Sequence, residues 1–201
     1  MRIAAFSDLH LGGGGSPGLG WARKAVDRAA RKHADVLIFA GDLIAHRRAN
    51  KKVIGWCERL LDHAAQVEVP MLLVWGNHDV SVGLPELDIV PPSITVAPSD
   101  EVLDMKIGGY TIHALSVASN PDPRRVVKLF PKAKEPRHVG VLHTSVTGEH
   151  SNAACLPTTV KQLESRHYAA WVLGHVHEPV QLTETIGWPG MKVLQLIDLP
   201  D

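Results

Sequence analysis

The chain alternates short, continuously apolar runs with stretches whose apolar residues recur every three or four positions, the pattern of strands and helices taking turns around a sheet. Residues 3–6 predict a first strand. Ala22, Ala25, Val26, Ala29 and Ala30 share one face of a helix that ends near His33. Residues 36–40 are apolar at every position, as a strand buried on both faces requires. Val53, Ile54, Cys57, Leu60, Leu61 and Ala64 mark a second amphipathic helix, and residues 71–75 a third strand, giving a βαβαβ start. Beyond it the pattern turns sheet-rich. Strands are expected over 94–97, 102–107 and 110–117, with Gly108-Gly109 as a hairpin turn between the last two. A helix is expected over 122–130, between Pro121 and Pro131, and further strands over 139–142, 170–173, 180–183 and 193–197.

Composition narrows the class. With 201 residues, 45% of them hydrophobic, the chain can bury one sizeable core, and a single domain over 1–201 is expected. Lys plus Arg and Asp plus Glu both number 21, so no global positive field draws in a polyanion and any phosphate-seeking charge must be local. Cys57 and Cys155 stand far apart in no ligand-like pattern, which argues against a disulfide framework and suits a reducing, cytoplasmic setting. The apolar start at Ile3 to Phe6 is too short for a secretory leader, and no run approaches the ~20 residues that span a membrane. Gly12-Gly13-Gly14-Gly15 lacks the Lys-Ser/Thr of a P-loop and reads as a mobile loop. The 12 histidines are an excess, and their placement gives them meaning.

Five short motifs each follow the carboxyl end of an expected buried strand: Asp8-Leu9-His10, Gly41-Asp42, Gly76-Asn77-His78-Asp79, His143, and Gly174-His175-Val176-His177. Strand carboxyl ends are where ligand sites assemble in open α/β sheets. Singly, Asp-x-His and Gly-Asp are common turn chemistry. Jointly they hold the inventory of a metal site. Carboxylate, imidazole and amide oxygen suit Mn²⁺, Fe²⁺ or Zn²⁺, manganese or iron best, since no thiolate is in the set to favour a soft ion. The two-residue spacings Asp8/His10 and His175/His177 put both side chains on one side of an extended segment. Asp42, preceded by a glycine that lets the backbone come close, is suited to bridge two ions ~3.5–4 Å apart.

On these motifs, in this order, the sequence resembles the calcineurin-like metallophosphoesterases. The resemblance implies a four-layer α/β/β/α sandwich and two divalent ions, one held by Asp8, His10, Asp42 and His177, the other by Asp42, Asn77, His143 and His175. It assigns His78 to the phosphate and leaving oxygen, and Asp79 to orienting the His78 imidazole and favouring its charged form. The stretch from His143-Thr144-Ser145-Val146-Thr147-Gly148 through Cys155-Leu156-Pro157 to Trp171-Val172-Leu173-Gly174-His175-Val176-His177, with Trp188-Pro189-Gly190, is similar to the SbcD-type DNA repair exonucleases. That implies DNA as substrate, and a homodimer or a partner ATPase.

Two departures stand out. Some nucleases of this type place a histidine three residues after the bridging aspartate, where this chain has Ala45 and then His46; and with the last residue at Asp201 the additional domain of fuller nucleases is not expected. His46, Arg47 and Arg48 are candidate substrate-binding residues, and with Lys51 and Lys52 they form a basic run beside Asp42 that could track a phosphate backbone. The run Arg124, Arg125, Lys128, Lys132, Lys134 and Arg137 reads as a solvated face, and His33, His63, His113, His138, His150 and His167 as surface or satisfied structural residues. A phosphodiesterase acting on a cyclic nucleotide or a diphosphate-linked metabolite is the rival reading, and a scaffold without turnover a third.

Overall fold

A computed structural model describes residues 1–146 and 154–200. The helix–strand alternation folds as expected: β1 (Arg2–Phe6), α1 (Gly18–Arg31), β2 (Val36–Ala40), α2 (Lys51–Ala65) and β3 (Met71–Val74) come first. They are followed by α3 (Asn77–Ser81), β4 (Ile94–Val96), β5 (Leu103–Ile107), β6 (Tyr110–Leu115), β7 (His138–His143) and α4 (Val160–Glu164), then β8 (Ala170–Gly174), β9 (Val180–Gln181), β10 (Ile186–Trp188) and β11 (Gln195–Asp198). One sheet has the order β11-β1-β2-β3-β4 and the other β5-β6-β7-β8-β10-β9. β1 to β4 run parallel, as do β6, β7, β8 and β10, so the carboxyl ends of β1, β2, β3, β7 and β8 gather the site motifs.

Side-chain alternation assigns the layers. Ala4, Phe6, Leu37, Phe39 and Leu73 face Val26, Ala29, Cys57, Leu60 and Leu61 of α1 and α2, while Ile3, Ala5, Val36, Ile38, Leu72 and Val74 face the second sheet. The second sheet returns Ile112, Ala114, Val139, Val141 and Val172 to that central layer, and its far side packs Leu142, Trp171 and Leu173 against Val126, Val127 and Leu163. This is the four-layer α/β/β/α sandwich, with a thin outer layer made of α4 and a 3-10 turn.

Three expectations are corrected. The helix expected over 122–130 is only a 3-10 turn, Val126–Leu129. Asp122 precedes Pro123, which drives it toward an extended backbone, and it pairs with Cys155 as an isolated bridge. The strand expected over 180–183 is the two-residue β9, and β10, too short to carry a pattern, lies between it and β8. The last strand lies slightly later than expected, Gln195–Asp198, antiparallel to β1. The Gly108-Gly109 hairpin holds: Ile107 pairs with Tyr110, and both glycines have positive φ (55° and 76°), as a two-residue turn of matching twist needs.

Candidate metal centre

The five motifs meet where the carboxyl ends of the two sheets face each other. Asp8, Asp42 and His143 are fully or almost fully buried, at 0%, 1% and 0% exposure. Imidazoles supply their ion-pair partners: Asp42 Oδ2 lies 3.4 Å from His143 Nε2 and 3.5 Å from His10 Nε2, and Asp8 Oδ1 lies 3.8 Å from His10 Nε2 and 3.9 Å from His177 Nε2. The Asp42 carboxyl is held well below the ordinary carboxylate range. Burial works the other way, and the facing His143, His10 and His78 outweigh it. Reciprocally, His143 is raised to about 9, burial being overcome by Asp42.

The donor atoms fall into two groups that share Asp42. His10 Nε2 and His177 Nε2 face each other at 2.9 Å beside Asp8. On the other side, Asn77 Oδ1 stands 3.1 Å from both His143 Nε2 and His175 Nδ1. These separations fit donors about 2.0–2.2 Å from a common ion. Outer contacts fix the donors. His143 Nδ1–H donates to Ala40 O at 2.8 Å, which directs Nε2 inward, and the His175 N–H donates to both Asp8 carboxylate oxygens at 3.2 Å. Three glycines precede ligands because nothing larger fits: a Cβ on Gly41 or Gly174 would strike the His143 ring, and one on Gly76 the Asp42 carboxylate, all inside van der Waals contact.

The two-residue spacings work for a reason other than the one expected. Asp8, His10, Asp42 and His175 all have positive φ (55°, 43°, 61° and 100°), so these segments are coiled, not extended. Such backbone costs on the order of 1–3 kcal/mol per residue and collects at functional sites. Here it is secured by Asp8 N–H to Gly41 O (2.9 Å) and His10 N–H to Asp42 O (3.0 Å).

The calcineurin-like phosphoesterase family model matches residues 1–179. The chain belongs to this family. It is 23% identical over 166 residues to the uncharacterized metallophosphoesterase YhaO of Bacillus subtilis (strain 168), covering 78% of this chain and 40% of that protein, so it spans less than half of that relative's length. Two solved structures share the fold. A dimetal phosphatase from Danio rerio aligns with TM-score 0.63 and 11% identity over 96% of this chain and 88% of its own. The protein TT1561 of Thermus thermophilus aligns with TM-score 0.58 and 15% identity over 95% and 89%. The matching family is one of phosphoesterases.

Within the site one expected contact is corrected. The Asp79 carboxylate does not orient the His78 ring. It accepts N–H bonds from Gly76 (2.9 Å), Asp42 (2.9 Å) and Ile44 (3.1 Å), so it ties the loop after β3 to the loop after β2. Burial and the Asp42 charge push it up, against the Gly76 and Ile44 N–H bonds. The neighbour of His78 is His46: their Nδ1 atoms are 2.9 Å apart, and the His46 N–H points at the same nitrogen from 3.3 Å. Burial lowers His78 to about 4, the pull of Asp42 being offset by His10, His46 and His143, so the ring is neutral at pH 7, not charged. Arg47 and Arg48 are exposed on the 3-10 turn His46–Arg48.

Sequence reasoning missed Cys155. Its Sγ lies 3.7 Å from Asn77 Oδ1 and donates to His143 O at 3.4 Å, which puts a thiol against the second donor group. The indole N–H of Trp188 braces the same region through Gly174 O (3.0 Å) and Thr144 O (3.3 Å). Thr147, Gly148 and His150 lie outside the described residues. Arg124 grips Asp122 and Ser99 O, His63 pairs with Asp27 at 2.7 Å, and His113 is buried between Asp104 (2.6 Å) and His138 (2.8 Å), all structural contacts.

Proposed function

We propose that this phosphoesterase hydrolyses phosphodiesters of DNA, as an exo- or endonuclease of the SbcD-like type with manganese as its working ion. The observation that carries the reading is a donor cage centred on Asp42 with a neutral histidine and a basic turn at its rim. Asp8, His10, His177 and Asp42 would hold one ion, and Asp42, Asn77, His143 and His175 the other. When bound, the ions supply Lewis-acid charge for the attacking and leaving oxygens of an in-line displacement.

The remaining chemistry falls to side chains already in position. A neutral imidazole donates from one nitrogen and accepts at the other. The His78 Nδ1 faces the His46 ring Nδ1 at 2.9 Å and the His46 backbone N–H at 3.3 Å and accepts from them, which leaves the proton on Nε2, 4.0 Å from Asp42 Oδ2 and on the site side of the ring. That Nε2–H donates a hydrogen bond to a phosphoryl oxygen or to the leaving oxygen and stabilises the negative charge that develops there. His46 holds the tautomer.

Charge placement favours a polyanion. Lys51 and Lys52 occupy the first turn of α2, where the helix dipole is already positive and no acidic residue offsets it, and Arg47 and Arg48 stand just before. Each such cation costs the helix about 0.3–1 kcal/mol by itself. A phosphate backbone laid across the turn reverses that sign. Lys52 is the partial exception, its Nζ lying 5.5 Å from the Trp56 ring centre.

The test is a panel of single- and double-stranded DNA, a cyclic nucleotide, a diphosphate-linked metabolite and an activated phosphodiester under Mn²⁺, beside an Asp42→Ala control. DNA cleavage that disappears in the control is expected. Replacing Arg47, Arg48, Lys51 and Lys52 with alanine should flatten the salt dependence of DNA binding by about 0.7–0.9 in log–log slope for every phosphate no longer neutralised, and spare the activated phosphodiester. DNA left intact while the cyclic nucleotide is cut efficiently would replace the nuclease reading with the small-molecule one.

A further inference from the structure

We propose that Cys155 is a conditional ligand of the second ion position, taken up by thiophilic ions such as zinc, cadmium or cobalt and left aside by manganese and magnesium. The inference rests on the proposal that Asn77, His143 and His175 hold an ion. The donor nitrogens of His143 and His175 and Cys155 Sγ all lie within 4.8 Å of one another, and Sγ is 3.7 Å from Asn77 Oδ1. An oxygen about 2.1 Å and a thiolate sulfur about 2.3 Å from one ion stand roughly 3.6 Å apart at a tetrahedral angle. Sγ is therefore already at ligand spacing.

The surroundings support the same role. Cys155 is 1% exposed, and its backbone is fixed independently of its side chain, its carbonyl accepting from the Ser145 N–H at 2.8 Å and its loop pairing with Asp122. The thiol therefore stays beside the site whichever ion is present. Its S–H bond to His143 O, at 3.4 Å, is weak enough to exchange. On uptake of a soft ion the S–H bond breaks, its proton passes to the buffer, and a sulfur–metal bond forms with no change of oxidation state. Hard ions prefer oxygen and water in that position. The two classes of ion are thus held by different donor sets, and zinc or cadmium would lock the site in a form with one fewer open position.

Cobalt reports the difference directly. The Co²⁺-loaded protein should show a near-ultraviolet sulfur-to-cobalt charge-transfer band that persists in Cys57→Ala and vanishes in both Cys155→Ser and Cys155→Ala. Cd²⁺ binding measured by calorimetry should weaken at least about tenfold in Cys155→Ser, with Mn²⁺ binding unchanged. A wild-type protein that binds two Co²⁺ ions without the band overturns the role of Cys155 and leaves the metal cage standing; this outcome needs no Cys155 variant to fold. A band that persists without Cys155, or Cd²⁺ affinity unaltered by its loss, overturns it equally. A chain that binds no ion at all brings down the cage reading and this inference together.

Discussion

Asp79 offers the sharpest test of how the centre is built. Its buried carboxylate accepts N–H bonds from Gly76, Asp42 and Ile44, and Asp79→Ala would leave those donors without it in a region at or near 0% exposure. Each unsatisfied buried N–H costs about 1–3 kcal/mol, so the three together cost at least about 3 kcal/mol, a large share of the ~5–15 kcal/mol that holds a domain folded. At about 2–4 °C per kcal/mol for a chain of this size, Tm falls by at least ~6 °C. Loss of the tie also frees the Asp42 loop, so metal stoichiometry falls with stability. His78→Ala makes the contrast: its half-buried ring ties no backbone besides the His46 turn, so the variant keeps its ions and its Tm within about 2 °C and loses turnover. Scanning calorimetry of the metal-free proteins and elemental analysis after reloading separate the two. Asp79→Ala that matches His78→Ala, stable and fully metallated but inactive, would refute the backbone-tie argument and restore Asp79 as the partner of the His78 ring.

Asp42→Ala removes the carboxylate common to both donor groups and should abolish stoichiometric binding of both ions; full occupancy by elemental analysis would show the cage is wrongly drawn. His46→Ala should lower kcat with metal content intact, and His46→Asn or His46→Gln should recover part of it by keeping a polar group at His78 Nδ1, whereas equal loss in all three would remove His46 from the tautomer argument. Gly76→Ala should reduce metal content, because its Cβ would overlap the Asp42 carboxylate; a fully metallated variant would show that the loop can yield. His113 is lowered by burial first and by His138, against the pull of Asp104. A histidine whose folded pKa is depressed loses stability as pH falls through its unfolded value of about 6.5, so wild type should lose ground relative to His113→Asn between pH 7 and 5 in denaturant titrations. A constant difference across that range would exclude the effect.

The meeting of the candidate ligands is legible because their motifs lie at or just beyond the carboxyl ends of buried strands, and parallel strands fix where those ends go. Asp8, Asp42, Asn77, His143 and His175 need only that rule. What fails are inferences from adjacency along the chain. His78 and Asp79 are neighbours in sequence, yet both belong to the short helix α3, where successive side chains point about 100° apart, so Asp79 turns to the backbone of the adjoining loops and His78 to His46 and His10. The partner of His78 comes from His46, 32 residues earlier, on a turn no pattern announces. Asp8-x-His10 forms a pair for a reason its spacing does not show, since left-handed backbone leaves no periodic trace. Cys155 carries no signal, because its nearness to Asn77 depends on a loop returning through the Asp122 bridge. Residues 122–130 show the reverse error: apolar spacing suggests a helix where Pro123 and the Asp122 contacts allow a single turn.

The donors come from both sheets: Asp8, His10, Asp42 and Asn77 from the first, His143, His175 and His177 from the second, above a central layer built largely of alanine, valine and isoleucine. Ions shared across that boundary would act as a clasp between two halves that otherwise meet through small apolar side chains. Ion binding and docking of the sheets would then be one equilibrium, and each ion at a hundred times its Kd would add about 2.7 kcal/mol to the folded state. A chain that holds ions across that seam would then stay folded longer where divalent metal is plentiful.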